Sequence, residues 1–320
     1  MTRHVSTTKK GQINIVIQSD PDRIIDRHNE VHQQEHDLHP TWTGIEREFR
    51  SLVGMGEVKE MLKHIVAWNI INQKRKEIGL IADHHALHML FKGNPGTGKT
   101  TVARIMAKQL CDLNILSKGH LVEVERADLV GEYIGHTANK TRDLIKKSMG
   151  GILFIDEAYA LARGGEKDFG REAIDTLVKH MEDKKDDFIL ILAGYSSEMD
   201  AFLRLNPGLR SRFPHVITFP DYTAEELMEI ARKLCKEKQY TLTSGAADRV
   251  SSYIRRAIGN TPSSAKDNGR FIRNTIETII RTQSVRLLKQ QLFTRQELMM
   301  VTERDVVEAL SEENSQKASS

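Results

Sequence analysis

At 320 residues the chain is long enough for two domains, or for one large domain with an appendage. Hydrophobic residues at 39% and charged residues at 28% fit a soluble globular protein, and 6% aromatics argue against a protein that stacks on nucleic-acid bases. The 47 basic and 44 acidic residues leave a net charge of +3, too small for a global field directed at nucleic acid or a membrane surface.

Residues 1–41 read as an arm or small appendage. Ile13, Ile15 and Ile17 alternate as in a short strand, which suits either extension of a partner's sheet or packing on its own subunit. His28, His32 and His36 would share one face of a helix; metal binding or pH sensing is conceivable there, and a solvated polar face is the stronger reading. The opening MTRHVSTTKKGQ lacks the apolar core of a signal peptide, and FILILA at 188–193 is too short to span a bilayer. The expectation is a cytoplasmic protein without membrane insertion. Cys111 and Cys235 have no partners at ligand spacing and fit buried free thiols on helices.

From residue 42 helices and strands alternate. EREFRSLVGMGEVKEMLKHIVAW has helical spacing interrupted by Gly54 and Gly56. HMLFKG (88–93) predicts a strand, and TTVARIMAKQL a helix with Val102, Ile105, Met106 and Leu110 on one face. LVEVE (121–125), GILFID (151–156), FILILAG (188–194) and HVITFP (215–220) predict four more strands. Apolar runs separated by helices imply a parallel sheet covered on both faces. Past Pro220 the pattern turns wholly helical, which places a boundary at 220 between an α/β domain (42–220) and a helical domain (221–311), followed by a polar tail (312–320).

The first strand runs into Gly93-Asn94-Pro95-Gly96-Thr97-Gly98-Lys99-Thr100. This G-x-x-x-x-G-K-T loop between strand and helix is a phosphate-binding loop. Its backbone amides and the following helix N-terminus suit phosphate oxygens. Asn94, Pro95, Gly96, Thr97, Gly98, Lys99, Thr100 and Thr101 form the candidate binding set, with Lys99 on the β- and γ-phosphates and Thr100 on Mg2+. The third strand ends in Asp156-Glu157, which suits a Walker B pair: Asp156 for the metal shell and Glu157 as general base. These parts alone do not separate ATP from GTP.

The chain resembles the AAA+ ATPases, in the branch that contains stage V sporulation protein K and the red-type Rubisco activases, and is more similar to the former type. The resemblance rests on LVGEYIGHTANKTRDLIKKSMGGILFIDEAYAL (129–161), ILAGYSSEMDAFLRLNPGLRSRF (191–213) and FPDYTAEEL (219–227), and covers about residues 45–310. It implies a P-loop NTPase α/β domain with a C-terminal all-helical lid. It also implies a homo-oligomeric ring, usually a hexamer, with ATP between subunits and adenine near Leu52, Val53 and Gly54. Arg212, with Arg210 as runner-up, stands where the family presents an arginine finger to the next subunit. Arg270 in Asn268-Gly269-Arg270-Phe271-Ile272-Arg273 resembles the sensor-2 arginine, with Arg273 as a helix-surface residue. The fourth strand ends Ala193-Gly194-Tyr195 where many members carry a water-aligning asparagine, so Tyr195 or Ser196 takes that place.

Tyr133-Ile134-Gly135 resembles the pore loop with which such rings grip polypeptide, the alternative being Tyr133 packed on its own subunit; residues 163–170 sit where a second pore loop would be and equally fit an ordinary surface loop. The leading reading is an ATP-hydrolysing ring that remodels a protein partner, with a role in sporulation implied by the resemblance. The alternatives are a Rubisco-activase-type remodeller, a nucleic-acid motor and a non-catalytic ATP-bound scaffold. Asp156-Glu157-Ala158-Tyr159 is superficially like a helicase box, but no basic, aromatic-interleaved tract accompanies it, so no nucleic-acid partner is expected.

Overall fold

The computed structural model describes residues 40–81, 86–133, 135–164, 168–185, 187–260, 267–290 and 293–318. The Ile13–Ile15–Ile17 alternation, the His28, His32 and His36 stripe, and Ile134 therefore lie outside the described residues. Gly44–Ser320 forms one compact unit.

Helices α1 (Pro40–Arg50) and α2 (Gly56–Glu77) precede strand β1 (Met89–Gly93). Helix α3 (Lys99–Asp112) leads to β2 (Leu121–Val124), and α4 (Arg126–Leu129) with α5 (His136–Ser148) leads to β3 (Ile152–Ile155). A 3-10 turn at Ala158–Ala162 and α6 (Gly170–Asp183) then lead to β4 (Ile189–Gly194). Helices α7 (Ser196–Leu205) and α8 (Pro207–Arg210) lead to β5 (His215–Phe219).

The five strands pair in parallel in the order β2-β3-β4-β1-β5. Every residue of β1, β3 and β4 is buried, as helices on both faces of a parallel sheet require. The edge strands β2 and β5 expose Glu123 and Thr218, so these two side chains face water at no desolvation cost. On α3 the buried stripe is Val102, Ala103, Met106, Ala107 and Leu110, at helical spacing, with Ile105 half-buried beside it. Cys235 is buried as expected, whereas Cys111 is only half-buried. It lies in the last turn of α3 on the wall of an open surface cavity beside Ser117 and Gly150.

The remaining chain is α9 (Ala224–Glu237), β6 (Thr241–Leu242), α10 (Ser244–Asn260), α11 (Asn268–Leu288), α12 (Arg295–Met299), β7 (Met300–Val301) and α13 (Glu303–Ala318). The wholly helical reading needs one correction: β6 and β7 form a parallel pair, with Thr241 opposite Met300 and Leu242 opposite Val301. Two residues are too few to display a period of two, so only tertiary pairing reveals them. Leu227, Ala231, Ile254, Ile272, Ile276 and Val306 share an apolar core, distinct from the one in which Leu153, Ile174, Phe188 and Phe202 pack beneath the sheet. Helix α9 opens with a reciprocal capping box between Thr223 and Glu226. Arg286 donates to the buried Asp305 at 2.6 and 3.1 Å, and Thr302 also caps that carboxylate.

Candidate functional site

The sheet's chain order reverses at β1, and ligands of open parallel sheets bind beyond the carboxyl ends of the strands at such a switch. Three neighbouring strands, β3, β4 and β1, deliver Asp156, Tyr195 and the glycine loop to that edge. Lys92 pairs with Gly194, so Tyr195 emerges level with Gly93, between the phosphate loop and the acidic pair.

A cavity of about 370 Å³ opens there. Its wall includes Gly96, Lys99 and Thr100 from the loop, Asp156 and Glu157 from the end of β3, and Arg270 from α11. Pro95, Gly98, Thr101 and Val53 also line it. Gly54, Asn94 and Thr97 are not among its wall residues, and each has contacts of its own. Gly54 packs on the Glu226 side chain, Asn94 donates to Asp221, and Thr97 Oγ1 donates to the Asn94 carbonyl at 2.8 Å.

Gly98 takes φ +96 as the residue before α3, a conformation that favours glycine and turns the helix N-terminus into the cavity. Lys99 is 9% exposed and donates to the carbonyls of Gly93 and Asn94 at 2.8 Å each. Burial holds its ammonium below the usual lysine range, opposed first by the Asp156 carboxylate. A buried cation beside a carboxylate and an opening to solvent is suited to an anionic ligand.

Glu157 is exposed and left-handed, with φ +46 and ψ +41, a region that costs a non-glycine residue about 1–3 kcal/mol. The strain turns the chain sharply from β3 into the 3-10 turn and points the carboxylate-bearing residue at the cavity. Its N–H donates to Asp156 Oδ1 at 3.0 Å, and its carbonyl accepts from Ala160 N at 2.8 Å. Tyr159 lies beside it: burial, and then the Glu157 carboxylate, push its hydroxyl up to about 12. The Tyr159 and Tyr195 rings are 6.1 Å apart, and Arg163 sits over Tyr159 at 4.8 Å.

Arg210 and Arg212 are absent from this cavity's wall. Arg212 Nε donates to Glu182 at 2.5 Å and its Nη1 to the Gly208 carbonyl. Arg210 is exposed beside Asp200, Leu203 and Arg204. Arg273 is exposed, in keeping with a place on the helix surface, and it also joins Arg270 on the cavity wall one helical turn further along α11. Tyr133 is 65% exposed, touched edge-on by His136 at 5.3 Å, and Gly135 at φ +81 precedes α5.

Residues 89–221 match the family described as "ATPase family associated with various cellular activities (AAA)", and residues 223–316 match "AAA lid domain". Stage V sporulation protein K of Bacillus subtilis (strain 168) is 54% identical over 96% of this chain and 97% of its own length. The chain belongs to the AAA ATPase family. It is also 46% identical to Protein CfxQ of Xanthobacter flavus over 80% of each chain. Its identity to the chloroplastic ribulose bisphosphate carboxylase/oxygenase activase of Cyanidioschyzon merolae (strain NIES-3377 / 10D) is 43%, over 81% of this chain and 89% of that one. A point mutant of Thermotoga maritima RuvB superposes with a TM-score of 0.54 at 21% identity, over 83% of this chain and 72% of that one, a likeness of fold. As an AAA ATPase with its lid, the chain belongs to a nucleotide-binding family. Among the described residues no helix is long and apolar enough to cross a membrane.

Several wall residues carry no motif in the sequence. Met55, Tyr222, Ile230, Lys233, Leu234 and Glu237 line the cavity, four of them from α9. For the four on α9 the only sequence signal is helical periodicity, which does not say which neighbour lies opposite; Tyr222 falls within FPDYTAEEL, which marks the family and not the cavity.

Proposed function

We propose that this AAA ATPase is an ATP-hydrolysing ring motor, a homo-oligomer of hexamer type, that remodels a protein partner. One observation carries the reading: Lys99, Thr100, Asp156, Glu157 and Arg270 share one cavity while Arg212 stands off it. A complete set of hydrolytic groups lacking only a trans cation is what a site between neighbouring subunits needs.

The apolar wall residues Leu52, Val53, Ile230 and Leu234 suit the adenine base. The wall residues Gly96, Lys99 and Thr100 suit the triphosphate. Lys99 would exchange its carbonyl partners for β- and γ-phosphate oxygens, a stronger charge-assisted contact. The Thr100 hydroxyl and Asp156 carboxylate are hard oxygen donors on one wall, and they fit Mg2+. That ion supplies neutralisation of the charge shared by the β- and γ-phosphates. Glu157 accepts a proton from water as the water oxygen bonds to the γ-phosphorus. The bond from that phosphorus to the bridging oxygen breaks, giving ADP and phosphate. Arg270 reaches toward the γ-phosphate from the lid, and it and Arg212 of a neighbouring subunit meet the charge that develops there. Tyr195 occupies the place from which a side chain would align the water.

Tyr133 is large, aromatic and exposed on a short bend, suited to sequence-tolerant contact with a polypeptide. We place the domain division at 220, supported by the separate apolar cores on either side, and the protein in the cytoplasm. The 54% identity to a sporulation protein over 96% of the chain supports a role in sporulation. The 43% identity to a ribulose bisphosphate carboxylase/oxygenase activase supports a second reading, remodelling of that carboxylase.

The test uses Glu157→Gln. Loss of the base slows hydrolysis by about 10²–10⁴, so with ATP the ring should retain a protein partner that wild type releases. Absence of any ATP-dependent retained protein would sink the remodelling claim. Strong stimulation of the wild-type ATPase by ribulose bisphosphate would favour the second reading.

A further inference from the structure

Asn268 opens α11 and is 1% exposed, yet it holds φ +47, a conformation uncommon for any residue but glycine. Its carboxamide joins three segments of chain. Nδ2 donates to Asp221 Oδ1 at 2.7 Å and to the Pro95 carbonyl at 3.4 Å, while Oδ1 accepts from Tyr222 N at 2.9 Å. Asp221 in turn accepts from Asn94 Nδ2 at 2.9 Å on both carboxylate oxygens. The backbone repeats the join: Gly269 N donates to the Gly96 carbonyl at 3.0 Å. Gly96 has φ +69, and a Cβ on it would lie 2.8 Å from Arg270 N and against the Asp267 carbonyl. The first turn of the lid helix is thus seated on the phosphate loop itself.

An amide is suited to this place because it donates to a carboxylate and accepts a backbone N–H at once. Aspartate of the same shape offers no donor, and leucine offers neither function. Two residues after Asn268 comes Arg270, and five residues after it Arg273, both on the cavity wall.

We propose that Asn94, Asp221 and Asn268 form a latch between the phosphate loop and the lid, and that Asn268 is the positioning residue that sets Arg270 over the triphosphate. The latch rests on the reading of the cavity as an ATP site. It makes the lid respond to the shape of the loop through side chains that themselves touch no phosphate.

The test uses the full chain. Asn268→Asp sets a second carboxylate against Asp221, and the exchange Asn268→Asp with Asp221→Asn restores one amide and one carboxylate in reversed positions. Asn268→Asp should lower kcat about 10²-fold, the scale of a misplacement near 1 Å. The Kd of a fluorescent ATP analogue should move less than about threefold, because the contact is made chiefly in the transition state. The exchange should recover most of the loss. Arg270→Ala added to Asn268→Asp should cost little more, since the two act through one contact. Asn268→Gly, which accepts the positive φ, should lose kcat in the same way and serves if the aspartate variant misfolds.

Wild-type turnover in either folded variant, or an exchange no better than Asn268→Asp, overturns the latch. A wild-type chain whose turnover is insensitive to Lys99→Ala overturns the ATPase reading and the latch with it. Lys99-dependent turnover that Asn268→Asp leaves intact overturns the latch alone.

Discussion

Arg212→Ala tests the shared site directly. Arg212 lines no part of its own subunit's nucleotide cavity, so the variant should bind ATP as wild type does. Its ion pair with Glu182 has side chains 31% and 54% exposed, and a surface pair of that kind contributes only about 0–1 kcal/mol. The fold therefore tolerates the change, and the guanidinium is free to leave Glu182 for a neighbour at small cost. Loss of a trans arginine should lower turnover about 10³–10⁵-fold, or about 4–7 kcal/mol of barrier. Glu157→Gln should lower turnover about 10²–10⁴-fold through the other half of the site. Mixed one to one, the two variants should, on the proposed ring, assemble with some interfaces that join an intact Glu157 to an intact Arg212. Random head-to-tail assembly gives that combination at about one half of one half, so about a quarter of wild-type ATPase should return. The assay is phosphate release on mixing, with size-exclusion chromatography to confirm co-assembly. Co-assembled rings that stay inactive, or an active Arg212→Ala homomer, would refute the trans assignment; activity of Arg212→Ala alongside inactivity of Arg210→Ala would move the role to Arg210.

Arg286→Ala should destabilise the lid by about 3–5 kcal/mol, because the Asp305 carboxylate stays buried without its cation; chemical denaturation reads this, and a change below about 1 kcal/mol would contradict the pairing. His88 gives a pH dependence. It is 1% exposed, accepts from Leu190 N and meets the Met181 carbonyl, both at 3.0 Å, and burial holds it below its usual value against that carbonyl's pull. The unfolded chain takes the proton first, so this stabilisation is present above about pH 6.5 and is lost as pH falls through the folded value. The pH slope of the unfolding midpoint should flatten in His88→Asn, and an unchanged slope would assign the effect elsewhere. Tyr133→Ala should leave basal ATPase near wild type and abolish partner-dependent activity; full retention of the latter would exclude threading past Tyr133.

The sequence by itself determined what is local. Fixed spacings mark the phosphate loop and the Asp156-Glu157 pair, and unbroken apolar runs mark the buried strands β3 and β4, with β1 apolar as far as Lys92, because chemistry and burial act there residue by residue. It could not show the β6–β7 pair, where two residues carry no period, nor the half-exposure of Cys111 at a cavity rim. Tertiary structure alone decided which residues meet. Parallel order placed Asp156, Tyr195 and Gly93 side by side although 102 positions separate Gly93 from Tyr195. The seating of α11 on Gly96 brought Arg273 into the cavity wall and set Asn268, polar yet buried, against Pro95, Asp221 and Tyr222. Contacts between segments so distant in the chain depend on strand order and helix docking, and no spacing along the sequence encodes them.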